Sequence, residues 1–275
     1  MTYGWSILII AVVLGALSFL GVFNPVTFAP KAAPGSCQIV KNSELGISNL
    51  VGSCNNQVPQ YVASLNGSSS DIVITNPNSL SSDNLTVTAW IDPTAASTGG
   101  GIAGIVSYGS GCSSNTAALI MWNGYLYKDG CGDNYNSMLK PSANVWEFVA
   151  MVVNSTDTRL YLNSAYNTSN TAGTPYISSL EINIGCDIEP LSGCQSGDMF
   201  GGYVADVQIY NTSLTNSSVQ ELYREGLGGL PINLQKLVNW YPLNGNANDY
   251  SGNQNNGAQT KVVYTSSWYG GYTQP

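Results

Sequence analysis

The chain contains no histidine, and that one absence removes several chemistries together. Without an imidazole there is no Ser-His or Cys-His nucleophilic pair, and no zinc site built from Cys and His. Charge is scarce too. Lys and Arg number 8 and Asp and Glu 16, together 9 % of the residues, where ordinary soluble domains carry about 25 %. The net charge of −8 leaves no basic footprint for nucleic acid. The acids are not grouped as a glycosidase needs them, because no Glu-x-Asp-x-x-Glu run sets closely spaced carboxylates on one strand. Asp187 and Glu189 come nearest, and they read as solvated acids on a disulfide-closed loop. Enzyme activity is not expected.

A further scarcity is local. No charged residue stands between Tyr3 and Phe23, and the first in the chain is Lys31. A helix of about 21 residues would run roughly 32 Å, long enough to cross a bilayer. It is apolar on every side, so no solvated face can be drawn. Asn24-Pro25 stops it, because the residue before proline is pushed out of the helical region. Lipid or other copies of the helix must cover it. No Lys or Arg precedes the apolar core, which argues against a cleaved secretory signal. Neither end has the basic flank of a plain anchor. Ala11 and Gly15 lie four apart, with Gly4, Ser18 and Gly21 along the rest, a spacing that lets helix backbones approach closely. From these residues alone, a lone anchor and a helix–helix assembly stand level.

The run Met1-Thr2-Tyr3-Gly4-Trp5-Ser6-Ile7-Leu8-Ile9-Ile10 resembles the N-terminal helix of archaeal type IV pilin-like proteins, the class III signal peptide family. The similarity continues through Leu20-Gly21-Val22-Phe23-Asn24-Pro25, Phe28-Ala29-Pro30, Pro34-Gly35-Ser36-Cys37 and Pro59-Gln60-Tyr61-Val62-Ala63. Where that family carries a glutamate ahead of the Met-Thr-Tyr-Gly-Trp stretch, this sequence starts at Met1. The resemblance implies a short leader removed by a dedicated peptidase and membrane insertion before assembly. It then implies an extracellular filament with these helices bundled in its core, through Gly4, Trp5, Ala11, Gly15, Ser18 and Gly21.

What the chain does hold fits an exterior address. Six cysteines occur, none in a Cys-x-x-Cys pair. Their order favours near neighbours: Cys37 with Cys54, Cys112 with Cys131, and Cys186 with Cys194, a preference for short loops rather than a deduction. Such disulfides belong to an oxidising, extracellular setting. Asn-x-Ser/Thr acceptors for glycosylation stand at Asn66, Asn84, Asn154, Asn167, Asn211 and Asn216.

Pro25, Pro30 and Pro34 punctuate a connector over 25–60 that separates helix 1–24 from a domain over 61–275. That domain reads as short strands broken by Gly, Asn, Asp and Ser. Examples are Asp71–Thr75, Leu85–Ile91, Gly104–Tyr108, Ala117–Trp122, Trp146–Val153, Arg159–Leu162, Glu181–Ile184 and Tyr203–Tyr210. Asn123-Gly124 is the turn favoured by tight hairpins. One further helix is predicted over Asn216–Glu225, begun by Asn/Ser caps. The fold class is mainly β, a long apolar helix followed by a β-sandwich or jelly roll.

Phe200–Thr215, followed by Val219-Gln220-Glu221-Leu222-Tyr223, resembles the closing segment of laminin-G-like, concanavalin A-type jelly rolls. Leu85–Ile91 and Arg159–Asn163 resemble that family's core strands, with Ser164 where a glycine is usual. Leu237–Ala258 is similar to the family's opening segment, yet stands last. The domain is therefore expected to be circularly permuted, or else to lend this tail to a neighbouring subunit. No cofactor is required. The loop Asn248–Gly257 is dense in oxygen ligands, and Asp249, Asn253 and Asp206 are candidates for a structural Ca²⁺, against the plainer reading of hairpin chemistry. Trp90 and Trp146 fall in strand patterns and read as core. The cluster Trp268-Tyr269-Gly270-Gly271-Tyr272 could stack on sugar, but an edge strand or subunit contact is as economical.

The expectation is a pilin: helices in a filament core and jelly rolls displayed outside for adhesion to a glycan or cell-surface ligand. The alternative is a membrane-anchored surface lectin or adhesin that never polymerises.

Overall fold

Strand alternation sends each side chain of the central strands to one of two cores. β10 (Glu147–Val153) turns Val149, Met151 and Val153 into one hydrophobic cluster and Phe148, Ala150 and Val152 into another. Its neighbour β5 (Leu85–Pro93) gives Leu85, Val87, Ala89 and Ile91 to the first and Trp90 to the second. Both are buried along their whole length, which is why they read as near-continuous apolar runs.

The computed structural model describes residues 37–42, 47–52, 58–75, 84–108, 117–130, 134–169, 181–189 and 193–275. The predicted helix over 1–24, with Gly4, Trp5, Ala11, Gly15, Ser18 and Gly21, lies outside them, as do Cys54, Cys112 and Cys131. Among the described residues no helix is long and apolar enough to cross a membrane.

The expected sandwich is present as two antiparallel sheets. Sheet I runs β12 (Ala165–Ser169), β11 (Thr158–Leu162), β10, β5, β16 (Gly201–Tyr210), β3 (Val62–Asn66) and β19 (Val263–Thr265). β17 (Leu237–Tyr241) also pairs with β16. Sheet II runs β18 (Ala258–Thr260), β4 (Asp71–Thr75), β13 (Glu181–Ile184), β6 (Ile102–Tyr108), β7 (Ala117–Trp122), β8 (Tyr125–Asp129) and β9 (Tyr135–Asn136). A hairpin of β14 (Cys186–Glu189) and β15 (Gly193–Met199) joins sheet II beside β6, through one parallel contact. Within the stretch expected as connector, β1 (Cys37–Asn42) and β2 (Ile47–Gly52) form a separate antiparallel ladder.

The first core fills the space between the sheets. The second lies on the outer face of sheet I, beneath the tail and a helix, α2 (Asn216–Glu225), that buries Val219 and Leu222. The cap of α2 is Thr215 rather than the Asn216 or Ser217 that follow, its hydroxyl accepting from the Ser218 N–H. A one-turn helix that the sequence pattern did not suggest, α1 (Ala95–Gly99), follows β5 and is capped by Thr94. The Asn123-Gly124 turn closes β7 on β8 with φ of 50° and 80°, the left-handed pair a two-residue hairpin requires.

The tail pairs within its own chain. β17 lies beside β16, β18 beside β4 and β19 beside β3, so no neighbouring subunit is needed to complete the sheets.

Candidate functional site

Two of the three residues predicted to hold calcium meet around Trp240, and hydrogen-bond donors reach both carboxylates. β16 is irregular between Ala205 and Gln208, and Asp206 sits there with φ of 48°. Its carboxylate is 5 % exposed and accepts from the Gln208 side-chain amide at 2.9 and 3.0 Å and from the Trp240 indole at 2.8 Å. Burial pushes this carboxyl up to about 7, against the pull of those hydrogen bonds. The Tyr210 hydroxyl donates to Gln208 and itself accepts from the Ile232 N–H, extending the network to the tail. On the other side, the Trp240 N–H donates to Asp249 at 3.0 Å. Asp249 also accepts from the Ser251 N–H and hydroxyl and the Asn255 N–H, at 2.9 to 3.0 Å. Asn253 donates its side-chain amide to the Val238 carbonyl.

Calcium takes six to eight oxygen ligands. Here N–H and O–H donors already point at the carboxylate oxygens, and the described residues hold no cluster of three acids, Cys or His. The three residues as placed do not fit a calcium ion. They tie the loop after β17 to the sheet.

Asp187 departs from expectation as well. It is 4 % exposed on β14, not solvated on a loop, because the hairpin lies against β6 where Gly104 leaves room: a Cβ on Gly104 would stand 1.9 Å from the Asp187 nitrogen. The Cys186–Cys194 disulfide closes this hairpin with Cα atoms 5.8 Å apart. The Ser107 hydroxyl donates to the Cys186 carbonyl at 2.8 Å, and Asn183 donates to Asp71 at 3.1 Å. Cys37 lies in β1, and its expected partner Cys54 is outside the described residues.

The six sequons are in different settings. Asn66 and Asn154 each accept on their side-chain oxygen from the hydroxyl two residues on, Ser68 or Thr156. Asn84 accepts from Ser213, and Asn167 donates to the Ser137 carbonyl. Asn211 closes β16, its N–H bonded to the Lys236 carbonyl. The oxygen of Asn216 is occupied by Arg159 and Tyr161. Asn66 also borders a small cavity of about 150 Å³ beside α1. Its Ser97 hydroxyl is engaged with Gly201, both donating and accepting.

The C-terminal aromatic cluster divides: Trp268 and the half-buried Tyr272 pack on the core, while Tyr269 is exposed. Trp268 is fully buried, and its carbonyl accepts from the Trp146 indole at 2.9 Å. Trp90 and Trp146 are buried as expected.

A half-buried aromatic shelf lies elsewhere. Leu119, Met121 and Leu126 on β7 and β8 face the inter-sheet core, so alternation turns Ile120, Trp122, Tyr125 and Tyr127 to the outer face of sheet II. The three aromatic side chains are half-buried, and the Trp122 and Tyr127 rings stand 5.2 Å apart. Asn136 on β9 donates to the Tyr127 hydroxyl at 2.6 Å, fixing that ring. The exposed Lys140 places its ammonium 5.6 Å from the Tyr125 ring centre. Neither the Trp122 indole N–H nor the Tyr125 hydroxyl has a hydrogen-bond partner among the described residues. The strands and the turn are legible in sequence, but the common face of these rings follows only from the pairing of Trp122 with Tyr125 and Ile120 with Tyr127.

The sequence profile of the concanavalin A-like lectin/glucanases superfamily, of laminin-G type, matches residues 66–220, more than half of the 275. The chain belongs to that superfamily. Its laminin-G domain has the fold of a candidate carbohydrate-binding protein from Bacteroides ovatus, with a TM-score of 0.56 and 17 % identity over 80 % of this chain and 66 % of that one. The chain thus spans just under two thirds of that protein's length. The laminin-G domain is also similar to domain 4 of an extracellular arabinanase from Geobacillus stearothermophilus in complex with arabinotriose, at a TM-score of 0.46 and 18 % identity over 68 % and 88 % of the two chains. A SAP-like pentraxin from Limulus polyphemus matches at 0.46 and 17 %, over 59 % and 81 %. No curated protein matches the chain by sequence.

Proposed function

We propose that the laminin-G domain is a non-catalytic glycan-binding module displayed outside the cell. The shelf on β7 and β8 carries this reading. Its half-exposed rings offer apolar faces to the C–H side of a sugar, while the free Trp122 N–H and Tyr125 hydroxyl and the Lys140 ammonium can bond its hydroxyls. Superfamily membership and the shared fold with a candidate carbohydrate-binding protein support the same class of ligand. Disulfide use and sparse charge suit an exterior position. The test is a glycan array probed with the full chain and with Trp122→Ala. Binding that weakens about tenfold in the variant supports the shelf. Background binding by a correctly folded wild-type chain sinks the proposal.

A second reading concerns how the module is carried. The uncharged run from Tyr3 to Phe23 and its pilin-like identities favour assembly of the helices into a filament, whereas a membrane-anchored lectin would need only the apolar length. Negative-stain microscopy of material sheared from cells decides between them. Regular filaments containing this chain support the pilin, and single particles confined to the detergent-soluble membrane fraction reject it.

A further inference from the structure

Three polar groups on the β7–β8 shelf have no hydrogen-bond or ion-pair partner among the described residues, and all three are donors. The Trp122 indole N–H and the Lys140 ammonium can only donate, and the Tyr125 hydroxyl donates as readily as it accepts. The Tyr127 hydroxyl differs, because it already accepts from Asn136 at 2.6 Å. A neutral sugar hydroxyl brings a donor with each acceptor, whereas a carboxylate brings acceptors alone. The unpaired groups match an anion better than another hydroxyl.

Lys140 is held where it can meet that anion. The segment after β9 runs beside β8: the Leu126 N–H donates to the Leu139 carbonyl at 2.8 Å, and the Ser137 N–H to the Leu126 carbonyl at 3.1 Å. This fixes the backbone next to Lys140. Its side chain crosses the hairpin tip, with Cε 3.4 Å from where a Cβ on Gly124 would stand and the ammonium 5.6 Å from the Tyr125 ring centre. Tyr125 and Trp122 are directly paired, which sets their Cβ atoms about 5 Å apart. A sugar stacked on Trp122 can therefore turn its edge to Lys140. The other charges of β8 lie elsewhere. Lys128 is 2 % exposed and shares the buried face with Leu126. Asp129 is on the shelf face, but roughly 13 Å along the strand from Tyr125. It would repel an acid there, which sets the charged end of a ligand at the turn.

Resting on the reading of the shelf as a glycan site, we propose that it selects a uronic acid, with Lys140 as the residue that decides for the acid form. One ammonium matches the one carboxylate of a uronic acid, and Trp122 supplies the stacking face. A carboxylate concentrates its charge on two oxygens beside the sugar ring, where a sulfate ester spreads it over three that stand further out. The net charge of −8 opposes an acidic saccharide at long range, but physiological salt screens that field beyond about 8 Å and leaves Lys140 as the near charge.

The experiment probes an oligosaccharide array with the full chain. The array carries tetramers of galacturonate, glucuronate, mannuronate and guluronate, the methyl ester of each, their neutral hexose counterparts and a sulfated galactose tetramer. Wild type should bind at least one uronate about tenfold more tightly than its methyl ester, and the difference should shrink in about 0.5 M salt. Lys140→Gln, an exposed change that leaves the strands intact, should remove most of that difference, and Lys140→Arg should keep it. Trp122→Ala should weaken acid and ester alike, since both stack on its ring. Esters or neutral tetramers that bind as tightly as the acids, and lose binding in Trp122→Ala, leave the shelf as a glycan site and overturn the choice of acid. A preference for the acid that survives Lys140→Gln overturns the role of Lys140. Tighter binding of the sulfated tetramer overturns the carboxylate. Background binding to every saccharide overturns the shelf reading itself, and this inference falls with it.

Discussion

Asp206 shows how one residue links burial to pH. Its carboxyl titrates near 7 in the folded chain, against 3.8 for the ordinary group, so between those values the folded state holds a proton that the unfolded state has released. Stability is therefore highest at low pH with respect to this group and falls as pH rises from about 4 to about 7, then levels. Asp92 and Glu147, also pushed up by burial, add slope of the same sign. Asp206→Asn is expected to flatten part of this fall, even though its amide hydrogens face the Gln208 donor and lower its stability at pH 5. Thermal unfolding of both proteins at pH 5 and pH 8 checks this, and an equal fall in both would assign the slope elsewhere. The acid itself is legible in the sequence, inside the closing-strand resemblance. Its role as a hydrogen-bond acceptor is not, because Trp240 stands 34 residues away and reaches it only when the tail folds back on β16.

At the scale of elements, legibility follows the number of buried faces. β5 and β10 are buried on both sides and announce themselves as apolar runs, and β7–β8 is marked by Asn123-Gly124. The β14–β15 hairpin has no such signal. Cys186–Glu189 and Gly193–Met199 include acids, Ser and Gly, and the packing depends on the missing Cβ of Gly104 in another strand. α1 escapes notice because five residues are too few to show a helical period. The β7–β8 turn offers a sharp test of local geometry. Gly124 has φ of 80°, and a Cβ there would stand 2.5 Å from the Thr98 carbonyl oxygen of α1. Gly124→Ala should cost about 1–3 kcal/mol in urea denaturation, from left-handed strain and displacement of α1. Gly99→Ala, where a Cβ meets nothing within 4 Å, should stay within about 0.5 kcal/mol of wild type. Equal effects would show that the turn yields freely.

The whole molecule differs from a plain sandwich in having a covered outer face. Sheet I carries Trp90, Trp146, Phe148 and Trp240 away from the inter-sheet core, and α2 and the tail must keep them from water. This explains the role of Trp268 and Tyr272, whose spacing alone gave no strand or helix pattern. Trp268 stands edge-on to Trp146 at 5.8 Å, and Tyr272 edge-on to Trp90 at 5.6 Å. The tail also supplies the Trp268 and Gly271 carbonyls that accept from Trp146, and a Tyr272 hydroxyl that accepts from the Leu227 N–H. Removing residues 266–275 would expose several large apolar side chains, each contributing roughly 1.5–3 kcal/mol when buried, and strand two donors of Trp146. The truncated chain should lose about 5 kcal/mol or more of stability, bind a hydrophobic dye and shift its tryptophan emission to the red. If its emission and melting matched the full chain, the second core would hold without its cover, and the outer face of sheet I would have to be protected by contacts other than the tail.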